Sequence, residues 1–251
     1  MTVGTDGVYV YAMVRAGTVL PKGLGGVGSP PAPVRTIGRG PLRAVVSDAP
    51  PALRARRRDL LAHQELLMRL ADGGPVLPMR FGMVAPDEAT VLEQLAAAGS
   101  RHAAMLEQLA GRFEINVKAL PAQNALAALV AEEKDVRRLR EAARRRPGYE
   151  ASIRLGEAVT TALDRRAAAA GQRLVRDLTP GARAVAAGPP VPGCALNTSF
   201  LVDRGDTDAF LARARVFADA HREQMELRLA GPLPCYSFVP SEARPVPVGG
   251  V

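Results

Sequence analysis

Tryptophan is absent from this 251-residue chain, and only ten residues are aromatic. Each ring that sits in a short Pro/Gly-bounded stretch therefore carries weight, because the backbone there is shaped and the ring supplies rigid buried area. Cysteine is nearly absent. Cys194 and Cys235 cannot build a disulfide framework and read as free thiols of a reducing compartment. No apolar run approaches the roughly 20 residues that span a bilayer. The N-terminus lacks the basic-then-apolar pattern of a secretion signal. Of the three histidines, His63 and His102 have no histidine or cysteine at i, i+4 to build a metal site with, and no metal is expected. There is no Gly-x-Ser-x-Gly elbow, no phosphate-cradling loop ending in Gly-Lys-Ser/Thr and no kinase set. Ser152, Ser199 and Ser237 have no marked base. These absences leave no catalytic residue, no cofactor and no metal to assign.

What is present suits an ordinary folded protein. The chain is 47% hydrophobic and 23% charged, and long enough for one or two domains with a real core. Its net charge of +8 is nearly all arginine. The densest clusters are Arg54, Arg56, Arg57, Arg58 and Arg144, Arg145, Arg146. Such charge invites a nucleic-acid reading. Solvated helix faces in a GC-rich coding background account for it more simply.

Periodicity divides the chain into two halves. Val8 to Val14 reads as a strand, 16 to 33 as a Gly/Pro loop, and Arg35–Ile37 and Leu42–Val46 as a hairpin about Gly38-Arg39-Gly40. A helix is expected from Pro51 to Asp72, with Leu53, Leu60, Leu61, Leu67, Met68 and Ala71 as its stripe and Gly73-Gly74 as its stop. Val76 to Met79 reads as a strand, and Glu88–Leu95 and Arg101–Ala110 as helices. In the second half, Phe113, Ile115, Val117 and Ala119 alternate with polar residues as a half-buried strand. Helices follow over 132–146 and 149–170, then strands at Arg183–Ala187 and Cys194–Val202, a helix from Thr207 to His221 and a strand from Met225. The order strand, helix, strand, strand, helix, strand is that of the ferredoxin-like split βαβ. The expectation is an α+β protein of two domains. Residues 1–111 form a mixed sheet-and-helix domain and 112–240 a ferredoxin-like (βαββαβ) domain with a closing aromatic motif, and 241–251 is a flexible tail.

Two local motifs echo known sites and fail on context. Gly23-Leu24-Gly25-Gly26-Val27-Gly28 matches the dinucleotide fingerprint, but Pro30, Pro31 and Pro33 follow and no helix starts to hold a pyrophosphate. It reads as a flexible loop. His221-Arg222-Glu223 with Pro234-Cys235 echoes a zinc deaminase, but the second cysteine is replaced by Phe238.

Three of the ten aromatics lie in two short segments about 150 residues apart. One is Leu77-Pro78-Met79-Arg80-Phe81-Gly82, the other Gly231-Pro232-Leu233-Pro234-Cys235-Tyr236-Ser237-Phe238. With the opening Val8-Tyr9-Val10-Tyr11-Ala12 and the later Phe113-Glu114-Ile115-Asn116-Val117-Lys118, they resemble, in order, the GvpL/GvpF family of gas vesicle proteins. The family's closing motif reads Gly-Pro-Trp-Pro-Pro-Tyr-Ser-Phe; Leu233 stands here for the Trp and Cys235 for a Pro. The resemblance implies a cytoplasmic, non-enzymatic protein of the gas vesicle. It would be a minor component or assembly factor whose partners are the apolar major shell protein and other gas vesicle proteins. Tyr9, Tyr11, Arg80, Phe81, Pro232, Pro234, Tyr236 and Phe238 are then the candidates for partner contact or an interdomain clasp. The other reading kept open is a basic ferredoxin-like RNA-binding module. Against it, the strand Glu114 to Ala119 shows no ring for base stacking.

Overall fold

The Val- and Tyr-rich opening forms β1 (Val8–Arg15), the central strand of the first sheet in a computed structural model that describes residues 7–51, 53–122 and 125–239. β2 (Arg35–Ile37) and β3 (Leu42–Asp48) form the expected hairpin. β4 (Val76–Pro78) and β5 (Val84–Ala85) both pair with β1, giving the order β2-β3-β1-β4 with β5 also on β1. β1 and β3 are antiparallel, and their register slips between Val10 and Ala12. Tyr11 is the extra residue of a bulge, a device that re-aims a side chain. Val8 to Val14 is buried throughout.

Three helices cover this sheet: α1 (Arg57–Gly73), α2 (Glu88–Ala97) and α3 (Gly99–Leu109). Asp87 caps α2 by accepting from the Thr90 N–H at 2.7 Å. α1 differs from expectation in start and register. It begins at Arg57, not Pro51. Four arginines crowd a helix end that repels cations, and Asp59 in the first turn favours the later start. The buried side is Asp59, His63, Leu66, Leu67 and Leu70, while Leu60 and Leu61 are exposed. Two polar residues occupy the inner face, so an apolar stripe points to the wrong register.

The second sheet has the order β7-β8-β6-β9, built from β6 (Arg112–Pro121), β7 (Ala184–Ala187), β8 (Leu196–Asp203) and β9 (Met225–Leu233). α4 (Leu126–Glu132), α5 (Lys134–Arg145) and α6 (Tyr149–Leu178) lie between β6 and β7, and α7 (Thr207–Ala220) between β8 and β9. The core joins Ile115, Val117 and Ala119 of β6 with Leu174 and Leu178 of α6, Phe200 and Val202 of β8, and Phe210 and Ala214 of α7. Phe200 and Phe210 meet with ring centres 5.2 Å apart. Each buried Val, Leu, Ile or Phe side chain among these contributes about 1.5–3 kcal/mol. Sequence periodicity missed α4 and β5 and ended α6 eight residues early. Ala167, Ala170 and Leu174 continue its buried side.

The chain divides into two units. One spans Met1–Glu114 and Pro232–Val251, the other Ile115–Gly231. The sequence reading set the divide at 111/112 and gave the closing motif to the second domain; here that motif groups with the first unit. The expected tail, 241–251, lies outside the described residues.

Candidate functional site

The aromatic residues singled out from sequence meet in the first unit around a histidine. Tyr9 and the bulged Tyr11 of β1 join one buried cluster, and α1 brings His63 against them. Tyr9 and Tyr11 lie 4.6 Å apart between ring centres. His63 stacks on Tyr11 at 5.6 Å, and Phe81 meets Tyr9 edge-on at 6.0 Å. Tyr236, delivered by the closing segment, lies nearly parallel to His63 at 6.5 Å and 13°.

Hydrogen bonds fix the protons of His63 and Tyr9. The Met79 carbonyl only accepts, so His63 Nε2 carries the proton and donates to it at 3.0 Å. His63 Nδ1 then accepts from the Tyr9 hydroxyl at 3.0 Å. That hydroxyl in turn accepts from the Gly82 N–H at 3.0 Å. Burial draws the His63 pKa down to about 4, partly offset by the bond to Met79. Burial pushes the Tyr9 phenol well above its ordinary value, and the Gly82 N–H offsets part of that rise. Both shifts lead away from neutrality, so the pair holds one protonation state and serves as a strut. A general acid or base needs the opposite.

A parallel chain anchors the Gly-rich segment. The Val27 N–H donates to the Tyr11 hydroxyl at 2.8 Å, which meets Ser47 Oγ at 2.9 Å; Ser47 donates on to the Asp48 carbonyl. The Gly28 N–H donates to buried Asp59 Oδ1 at 3.1 Å. Val27 is fully buried. A Cβ on Gly26 would lie 2.5 Å from Tyr11 Oη and 2.9 Å from the Ala32 carbonyl. The segment expected to be a flexible loop is therefore a fixed one. Its glycine spacing serves the close approach of backbone to tyrosine.

The closing segment is held by a carboxylate. Buried Glu114 accepts from the Ser237 N–H at 2.8 Å and from Ser237 Oγ at 2.7 Å. Buried Cys235 has its thiol pushed up to about 12, by burial first and then by the Glu114 charge. Burial and that same charge also raise the Tyr236 phenol.

Of the candidate residues, Tyr9, Tyr11, Phe81 and Tyr236 converge. Tyr9 and Tyr11 are fully buried. Pro234 is buried, Pro232 is exposed at the end of β9 and Phe238 is half-buried. Arg80 is exposed between β4 and β5, with no ion pair among the described residues. Sequence reasoning missed Asp59, His63, Gly26 and Glu114. The one available signal was Asp59 and His63, two polar residues at i, i+4 on a helix with apolar neighbours at i+7 and i+8.

Solved structures share this architecture. The chain matches the crystal structure of the gas vesicle protein GvpF from Anabaena sp. with a TM-score of 0.73 at 23% identity, covering 94% of this chain and 98% of that one. GvpF from Microcystis aeruginosa gives 0.71 at 21% identity, over 94% and 100%. The class is thus a mixed α+β fold with two antiparallel sheets and seven helices among the described residues. In sequence, the chain is 40% identical over 235 residues to gas vesicle protein F of a Streptomyces species, covering 92% of this chain and 98% of that protein. It is 25% identical over 190 residues to gas vesicle protein F of Dolichospermum flosaquae, covering 73% and 78%. The family model described as gas vesicle synthesis protein GvpL/GvpF matches residues 7–240. This chain belongs to the GvpL/GvpF family, and its role is a gas vesicle one.

Proposed function

We propose that this protein is a non-enzymatic assembly factor that binds the apolar major shell protein in the cytoplasm and delivers it to the growing gas vesicle. An apolar, strand-forming subunit exposes edges that aggregate before assembly. A partner with an open sheet edge can cover them by adding a strand. The observation that carries the reading is that, among the described residues, β2 is the outermost strand of a sheet ordered β2-β3-β1-β4, with Thr36 exposed at its centre. Exposed Arg80 marks a second contact point, where the chain leaves β4 and returns as β5. The buried rings hold that sheet rigid and do not touch the partner.

We also infer that the second unit is ferredoxin-like. Its element order, strand, helices, strand, strand, helix, strand, and its sheet order of second, third, first and fourth strands support this. The test of the binding reading is co-elution of the full chain with the major shell protein on gel filtration. Thr36→Pro blocks strand addition at β2 and should abolish co-elution at unchanged melting temperature. Undiminished co-elution would reject the β2 edge.

A further inference from the structure

The helices between β6 and β7 carry a surface that the shell-protein reading does not use. α5 turns Val136 inward, where it forms a small core with Leu129 and Ala162, and half-buried Leu139 lines one cavity with Val136 and Ala162. The opposite side is cationic. From Lys134 to Arg146 there are seven cationic side chains and two carboxylates, an excess of five in a chain whose net charge is +8. At 3.6 residues per turn, Lys134, Arg137, Arg138, Arg144 and Arg145 fall on one side of the helix, away from Val136 and Leu139. All are exposed.

Several arginines elsewhere in the second unit meet carboxylates: Arg183 with Asp203, Arg213 with Asp177, Arg165 with Glu133. On α5, Arg138 pairs with Asp135. Arg137, Arg140, Arg144, Arg145 and Arg146 have no such partner among the described residues. Just past the Pro147-Gly148 turn stand two exposed apolar side chains, Tyr149 (85% exposed) and Ile153 (40%). At i, i+4 they share a face of α6. A ring and a branched aliphatic thus sit beside three consecutive unpaired arginines.

We propose that α5 and the α5–α6 turn form a docking surface for an acidic protein segment bearing an apolar anchor residue. The guanidinium fork matches a carboxylate in two parallel hydrogen bonds. Tyr and Arg are the residue types that dominate protein interfaces. α5 is about 18 Å long, so an acidic helix of three turns, with carboxylates at i, i+3 and i+7, spans the row from Arg137 to Arg144. A nucleic-acid strand would use the charge but gain little from Ile153, and it would find one ring where stacking platforms offer several. This surface lies wholly within Ile115–Gly231. Its failure leaves the shell-protein reading standing, and the reverse holds.

The test is fluorescence anisotropy of the full chain with three labelled probes: a short polyglutamate, a polyglutamate of equal length with leucines at helical spacing, and an oligouridylate of matching charge. The leucine-bearing peptide should bind tightest and the oligouridylate weakest. Reversing Arg137, Arg144 and Arg145 to Glu should weaken both peptides by about tenfold or more. Tyr149→Ala should weaken only the leucine-bearing one. Reversing Arg54, Arg56 and Arg57, an equal charge change elsewhere, should shift affinity by no more than about twofold. The same α5 positions changed to Gln, with melting temperature recorded, separate binding from folding. Preference for oligouridylate would make the surface a nucleic-acid site. Equal loss from the control reversal, or no binding by either peptide, would also overturn the proposal.

Discussion

His63 titrates against the fold, and the size of that effect follows from its surroundings. In the folded protein burial holds its pKa near about 4; in the unfolded chain it returns to about 6.5. Between those values the unfolded state binds a proton that the folded state refuses. Stability from this group is therefore complete above about pH 6.5 and falls as pH drops toward about 4. The full difference is about 3 kcal/mol, of which about 2 kcal/mol is lost by about pH 5. Protonation would also put a proton on Nδ1, where the Tyr9 hydroxyl now donates. His63→Gln supplies the control. Its amide oxygen can accept from Tyr9, its amide nitrogen can donate to Met79, and it does not titrate. Urea unfolding followed by tyrosine fluorescence is the assay. The chain lacks Trp, and Tyr9, Tyr11 and Tyr236, three of its four tyrosines, lie in the first unit. Between about pH 8 and pH 5 the native protein should lose about 2 kcal/mol more than the variant. Parallel losses would refute the buried neutral histidine.

Gly26→Ala forces a methyl against Tyr11 Oη and the Ala32 carbonyl, and should cost about 1–3 kcal/mol in urea unfolding; an unchanged midpoint would show the segment to be loose. Tyr236→Ala removes the ring stacked on His63 and should cost about 2–3 kcal/mol, while shell-protein binding survives below the lowered melting temperature. Loss of binding at unchanged melting would mean that Tyr236 touches the partner. Cys235 is buried, with its thiol pushed up to about 12, so at mildly alkaline pH the folded chain should take up one equivalent of thiol reagent, at Cys194, and two after unfolding. Two equivalents while folded would contradict the buried closing segment.

Much of the fold was legible because its signals are local. β1, the β2–β3 hairpin, β6 and α7 follow from alternation, helical spacing and turn glycines. The errors around the aromatic cluster share one cause: burial of polar groups with long-range partners. α1 was read in the wrong register because Asp59 and His63, not Leu60 and Leu61, face inward. Their partners, Gly28 and Tyr9, lie 31 and 54 residues away. The Gly-rich segment looked free because nothing near it in sequence announces that Tyr11 will occupy the space a Cβ would need. Glu114 stood at a polar position of an alternating strand, yet it is buried and accepts from Ser237, 123 residues on. The aromatic segments pointed to the right residues, while their role as an internal frame emerges only once His63 is placed among them.

The role proposed for this protein is to keep the major shell protein soluble. Light scattering of that protein, diluted from denaturant with and without this chain, tests it most directly. Aggregation should be suppressed near equimolar ratio, with a complex on gel filtration, and both should be lost with Thr36→Pro. Unchanged scattering with no complex would contradict it.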